Sequence, residues 1–242
     1  MCYFLGNDFL PHIPSLDIHR DGIESLIVAW AETLRESVID NNKLVYLLNE
    51  KKDLQSKTLK KVNADFGYTL DGGQLGDIED ETFSADAVKI IFNGISAHPG
   101  YAKNKMVNAI KLASELVDSL PKDRWSPEKT SHREGFVHPV SVEGGLEKAT
   151  VQFIIRDHET TKLAEYEKEL ERLTAHVIEK YPGSTYTFEV TEQYRNMKEV
   201  LNNHPQVVAY AEEAIERAGL TIKKEIIRGG TDGSRFSYMG MP

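Results

Sequence analysis

Ala85-Asp86-Ala87-Val88-Lys89-Ile90-Ile91-Phe92-Asn93-Gly94-Ile95 sets the architecture of this chain. Its β-branched and aromatic residues predict a strand over 85–95, closed by the turn Ser96-Ala97-His98-Pro99-Gly100. Downstream, Met106, Ala109, Ile110, Ala113, Leu116 and Val117 recur at helical spacing and predict a helix over 105–119, which Pro121 ends. Apolar and polar residues then alternate over 137–144 and 147–157, on either side of Gly144-Gly145, as in a hairpin. A long charged helix is expected over 160–181, with Leu163, Tyr166, Leu170, Leu173 and Val177 inward, and a strand over 184–194. The order β-α-β-β-α-β across about 84–195 is the ferredoxin-like split βαβ arrangement.

On the C-terminal side the pattern predicts a helix over 204–218, stopped by Gly219, and a strand near 222–228. That strand runs into Arg228-Gly229-Gly230-Thr231-Asp232-Gly233. On the N-terminal side, Phe66 to Leu70 reads as a short strand ending at Asp71-Gly72-Gly73. Residues 38–60 are polar and Lys-rich, and a separate helical pattern over about 21–37 precedes them. The expected boundary therefore falls near residue 60, and 1–60 are not expected to share a core with the rest.

Composition narrows the function. No apolar run among the 242 residues approaches the ~20 needed to cross a bilayer, and a basic, long secretory leader is missing at the N-terminus. A cytoplasmic protein without membrane partners is the expectation. Cys2 is the one cysteine, so a metal here is to be held by His, Asp or Glu. A net charge of −9, with basic residues interleaved among acids, argues against a nucleic-acid backbone as partner.

Four residues stand where chemistry is done. Asp71 ends a predicted strand before two glycines, where α/β proteins place ligands, although a capping aspartate in a turn is the plainer role. His98 lies in a turn fixed by Pro99 and Gly100, where an imidazole can donate to a developing oxyanion or bind metal; a solvated turn histidine is the plainer role. Arg228, among glycines, and Arg156, at the end of an apolar strand, suit recognition of a carboxylate or phosphate. For Arg156 a surface pair with Asp157 is the alternative.

Five ordered runs carry a resemblance: Tyr68-Thr69-Leu70-Asp71-Gly72-Gly73, Ser96 to Gly100, Ile154-Ile155-Arg156-Asp157, Tyr194-Arg195-Asn196-Met197, and Ile227 to Gly233. Over about residues 61–242 the chain resembles peptidase T, a family of zinc-dependent tripeptide aminopeptidases with two zinc ions in an α/β catalytic domain bearing an inserted lid. The resemblance implies an α/β fold, with a ferredoxin-like lid over about 84–200 inserted between catalytic-domain pieces at 61–83 and 201–242. It makes Asp71 a zinc ligand, His98 the lid histidine facing the scissile carbonyl oxygen, and Arg156 and Arg228 anchors for the substrate. It also implies short peptides as substrates and a possible homodimer formed through the lid.

Of the family's further ligands, an upstream His-x-Asp pair, a bridging aspartate and a Glu-Glu pair have no counterpart upstream of Asp71, and the closing histidine would follow Gly240-Met241-Pro242, so at most a partial zinc site is expected. The 242-residue chain alone is therefore expected to be inactive. Phe4-Leu5-Gly6-Asn7-Asp8-Phe9-Leu10-Pro11-His12 instead resembles 5′→3′ exoribonucleases of the Xrn type, with Asp8 matching an acid of their Mg²⁺ cluster. A chimera of the two is the leading expectation. The alternatives are a noncatalytic lid or dimerisation module and an exoribonuclease fragment.

Overall fold

The computed structural model describes residues 64–69 and 74–242. The readings made for residues 1–60, and for Asp71, lie outside the described residues.

Four strands form the main sheet: β2 (Ser84–Asn93), β3 (Phe136–Gly144), β4 (Lys148–Asp157) and β5 (Thr185–Tyr194). Their order is β3-β4-β2-β5, with every neighbouring pair antiparallel. Helices α1 (Ala109–Ser119) and α2 (Thr160–Glu179) cover one face. This is the split βαβ arrangement that the sequence predicts. Because side chains alternate across a strand, Val88, Ile90 and Phe92 on β2 share that face with Val151, Phe153 and Ile155 on β4. Leu112 and Leu116 of α1, and Leu163, Leu170 and Val177 of α2, complete the core. Helix α1 begins four residues later than expected. Asn108 caps it by accepting from the Ile110 N–H at 2.9 Å, and Val107 is held instead in a bridge to Ile95. Ile110 is consequently 44% exposed rather than inward.

A second, two-stranded sheet pairs β1 (Asp77–Thr82) with β6 (Lys223–Ile227) in parallel. Strand β1 was not expected, because four of its six residues are acidic. Across the ladder, Asp77 sits opposite Lys223, and Ile78 opposite Lys224. The strand expected at 66–70 does not form over its described residues; there the Gly67 N–H donates to the Pro242 carbonyl at 2.9 Å, and Tyr68 Oη donates to the Val207 carbonyl at 2.6 Å. Helices α3 (Lys198–Leu201), α4 (Pro205–Arg217) and α5 (Asp232–Tyr238) complete the described chain. Part of the glycine-rich run at 228–233 is thus the start of a short helix, with Thr231 at its N-cap.

Only Phe83 separates β1 from β2, and three residues separate β5 from α3, so the chain crosses between the two sheets at adjacent places. Buried Asn196 holds these crossings together. Its Oδ1 accepts from the Thr82 N–H at 3.2 Å and the Lys198 N–H at 3.0 Å, while its Nδ2 donates to the His158 carbonyl at 2.9 Å. Its own N–H donates to Ser84 Oγ at 2.8 Å.

Candidate functional site

At the crossing end of the main sheet, register aligns one residue from every strand. Phe136 pairs with Arg156, Arg156 with Ala85, and Ala85 with Tyr194. All four lie on the face away from the helices, since their neighbours Val137 and Ile155 are in the core. A bulge makes this possible. Asp86 pairs with Glu192 but Ala85 with Tyr194, so Gln193 is the extra residue and Tyr194 is turned to the outer face.

The Arg156 guanidinium lies 5.8 Å from the Phe136 ring centre and 5.9 Å from that of Tyr194, within cation–π range of both. Arg156 Nε and Tyr194 Oη are shielded from solvent and have no hydrogen-bond partner among the described residues. Burial raises the pKa of the Tyr194 hydroxyl, against the pull of Arg156 and Arg235, which keeps it protonated. Among the described residues, two donors of one row therefore face no acceptor. Asp157 does not pair with Arg156; it is buried on the opposite face, accepting from Tyr166 Oη at 2.9 Å and the Glu159 N–H at 2.9 Å.

The Gly229-Gly230 run crosses over this row. A Cβ on Gly230 would lie 2.7–2.9 Å from three atoms of the Tyr194 ring, and one on Gly229 would lie 3.9 Å from Arg156 Nη1. Gly230→Ala is accordingly expected to displace the ring or the loop at a cost of about 1–3 kcal/mol. Chemical denaturation checks this, and a cost of a few tenths would show that the close approach is not needed.

Arg228 stands beside the row, 5.2 Å from the Phe83 ring centre and 5.9 Å from that of Phe136. Its Nη1 donates to the carbonyls of His132 at 2.7 Å and Glu134 at 2.8 Å, and its Nη2 to Thr130 Oγ1 at 3.0 Å. In this conformation those donors are committed to the 130–134 loop.

His98 is exposed and caps the 3₁₀ turn Pro99–Tyr101, its Nδ1 accepting from the Gly100 N–H at 3.2 Å. Its neutral ring then carries the proton on Nε2. The turn follows the far end of β2, eight residues from Ala85, or about 26 Å along a strand. The structure gathers Arg156 and Arg228 about Phe136 and leaves His98 apart.

A second polar cluster lies beneath the crossing. The Glu81 carboxylate is buried and accepts from Arg133 Nη1 at 3.0 Å and Lys198 Nζ at 3.0 Å. Burial would raise its pKa, but the hydrogen bonds from Arg133 and Lys198 outweigh burial and hold it down at about 2. The His158 ring packs at a tilt against Phe83, centres 4.3 Å apart, with Nδ1 3.2 Å from the Thr82 carbonyl and 3.7 Å from Glu81. Burial lowers its pKa, so Nδ1–H donates to Thr82 from a neutral ring. Sequence reasoning assigned nothing to Phe136, Tyr194, Glu81 or Asn196; the run Tyr194-Arg195-Asn196-Met197 was the one signal that marked two of them.

Among the described residues no group of three or more His, Cys, Asp or Glu is arranged to hold a metal ion. They do not by themselves fit a zinc centre, and no step through zinc is derived from them. Among the same residues no helix is long and apolar enough to cross a membrane.

Residues 81–183 match the peptidase dimerisation domain family, and residues 1–87 match the Xrn1 helical domain. Peptidase T of Halothermothrix orenii is 43% identical over 182 residues, covering 75% of this chain and 44% of the relative. Peptidase T of Lysinibacillus sphaericus is 36% identical over 227 residues, covering 92% of this chain and 55% of the relative. The chain thus spans about half the length of the curated relatives it matches. Among solved structures, aminopeptidase PepT from Bacillus cereus superposes with a TM-score of 0.64 at 24% identity, over 78% of this chain and 51% of that one. A Bacillus subtilis protein described as a dinuclear metal binding peptidase superposes at 0.50, with 16% identity over 77% of this chain and 49% of that one. Over three quarters of its length or more, then, the chain is similar to peptidase T, and it matches the peptidase dimerisation domain across 81–183.

Proposed function

We propose that residues 61–242 form the lid and substrate-anchoring part of a peptidase T-like aminopeptidase that acts on short peptides. In this reading 84–200 is the lid, 61–83 and 201–242 belong to the catalytic side, and 1–60 form a separate segment joined to them. Arg156 anchors the peptide's terminal carboxylate, Arg228 contributes when its loop contacts are released, and His98 serves the scissile carbonyl. Asp71 is one ligand of a zinc site that the described residues do not complete, and zinc, when bound, would supply an activated water. The dimerisation-domain match supports a homodimer, and the cytoplasm is the proposed location.

The observation that carries this reading is the row about Arg156. Among the described residues its Nε–H and the Tyr194 hydroxyl both lack an acceptor, and a carboxylate supplies two. The diglycine leaves the row coverable by backbone alone. The test is binding of a tripeptide, and of its C-terminal amide, to the 242-residue chain by NMR titration. The acid is expected to bind at least about tenfold more tightly than the amide, as a charge-assisted contact of roughly 1.5–3 kcal/mol requires. Arg156→Ala should erase that preference and Arg156→Lys should restore part of it. Equal binding of acid and amide by the unaltered chain would remove the anchor.

A further inference from the structure

The β5 bulge is held from behind the anchor row. Arg195, the residue after Tyr194, reaches the helix face of the sheet, where Asp86 is buried level with Ile155 of the core. Its guanidinium straddles the extra residue Gln193. Nη1 donates to Asp86 Oδ1 at 2.8 Å and lies 3.0 Å from the Ala85 carbonyl and 3.1 Å from the Tyr194 carbonyl. Nη2 reaches Glu192 at 3.0 Å. The planar fork therefore joins the residue before the bulge, the residue that ends it, and the two residues of β2 opposite them. The Asp86 and Arg195 side chains are 5% and 19% exposed, so this pair is largely withdrawn from water; Glu192 is exposed, and its share is small.

Without the fork the ladder has a simpler course. Continued regularly from the Asp86–Glu192 pair, it would set Gln193 opposite Ala85 and Tyr194 opposite Ser84, with the Tyr194 ring on the helix side. Arg195 instead binds the Ala85 and Tyr194 carbonyls while those two residues face each other.

We propose that Arg195, paired with Asp86, is the positioning residue of the anchor row: by spanning Gln193 it fixes the bulge and so holds the Tyr194 hydroxyl beside Arg156. The inference rests on the anchor assigned above for its functional meaning. Arg195 touches the row only through the backbone of Ala85 and Tyr194, and acts on a peptide through the Tyr194 side chain. Asn196, one residue on, has its own bonds to Thr82 and Ser84, so the crossing between the sheets stays fastened when Arg195 is changed.

The experiment uses the 242-residue chain, with the tripeptide acid and its C-terminal amide as probes. In the native chain the Tyr194 ring should show an NMR contact with the Gly230 α-protons, since a Cβ on Gly230 would lie 2.7–2.9 Å from that ring. Asp86→Leu together with Arg195→Met replaces the buried pair by apolar groups and strands no charge, a change that folds commonly tolerate. This double variant is expected to lose the ring contact. Its preference for acid over amide should fall from about tenfold to about threefold or less, with amide binding changed by less than about twofold. Arg195→Lys keeps a charge partner for Asp86 but has no fork, and should fall between the native chain and the double variant in both readings. A role confined to stability would lower the denaturation midpoint and leave the preference of the folded protein alone. A ring contact unchanged in Arg195→Lys would overturn the proposal, as would the native preference in the folded double variant. Should the double variant not fold, Arg195→Lys decides by itself. If the native chain shows no preference, the anchor falls, while the ring contact still decides whether Arg195 fixes the bulge.

Discussion

Asn196→Ala is expected to lower the unfolding free energy by about 3–5 kcal/mol. The side chain is buried, and truncation strands the Thr82 and Lys198 N–H groups together with the His158 carbonyl. Each unsatisfied buried group costs roughly 1–3 kcal/mol. Water entering the space would recover part of that, which sets the total below the simple sum. Asn196→Asp should also be costly, because its second carboxylate oxygen, buried and charged, would face the His158 carbonyl in place of the Nδ2 donor. Urea denaturation followed by circular dichroism measures both. A loss below about 1 kcal/mol for the alanine variant would show that the crossing is not held by this side chain.

The second large effect is acid sensitivity. Glu81, held down at about 2 against an ordinary 4.5, contributes stability that is fully present above 4.5 and lost as pH falls toward 2. The difference corresponds to about 3 kcal/mol in favour of the fold at neutral pH. Glu81→Gln should remove most of this and flatten the stability profile across that window. Its cationic partners, 58% and 41% exposed at Arg133 and Lys198, remain solvated in the variant. Denaturant midpoints between about pH 2 and about pH 7 test it. An unchanged acid slope in Glu81→Gln would assign the sensitivity to another carboxylate.

The lid was readable because its information is local. Alternation at Val88, Ile90 and Phe92, the helical spacing of Leu163, Leu170 and Val177, and the hairpin glycines each report their own element. Strand β1 was not readable, because its acidic run pairs with a lysine-bearing strand far along the chain. Arg156 came from the end of an apolar strand, but Tyr194 could not. Strict alternation places Tyr194 on the helix side with Val190 and Glu192, and only the extra Gln193 turns it to the Arg156 row. Asn196 was likewise silent as a structural residue. Its partners are 114 residues away at Thr82 and 38 away at His158, and no periodicity marks such bonds.

The parallel ladder of β1 and β6 bears on the order in which the molecule assembles. Asp77 meets Lys223 across the whole of the intervening lid, a loop of roughly 140 residues whose closure entropy must be met before any ladder bond forms. Folding of the lid first shortens that journey, because Phe83 and Tyr194 emerge side by side at one end of its sheet. The effective loop then shrinks to the few tens of residues from Arg195 to Lys223. Mutations in the lid core, such as Phe153→Ala, should therefore slow refolding of both sheets. Mutations in β6 should chiefly speed unfolding and leave the refolding rate nearly unchanged.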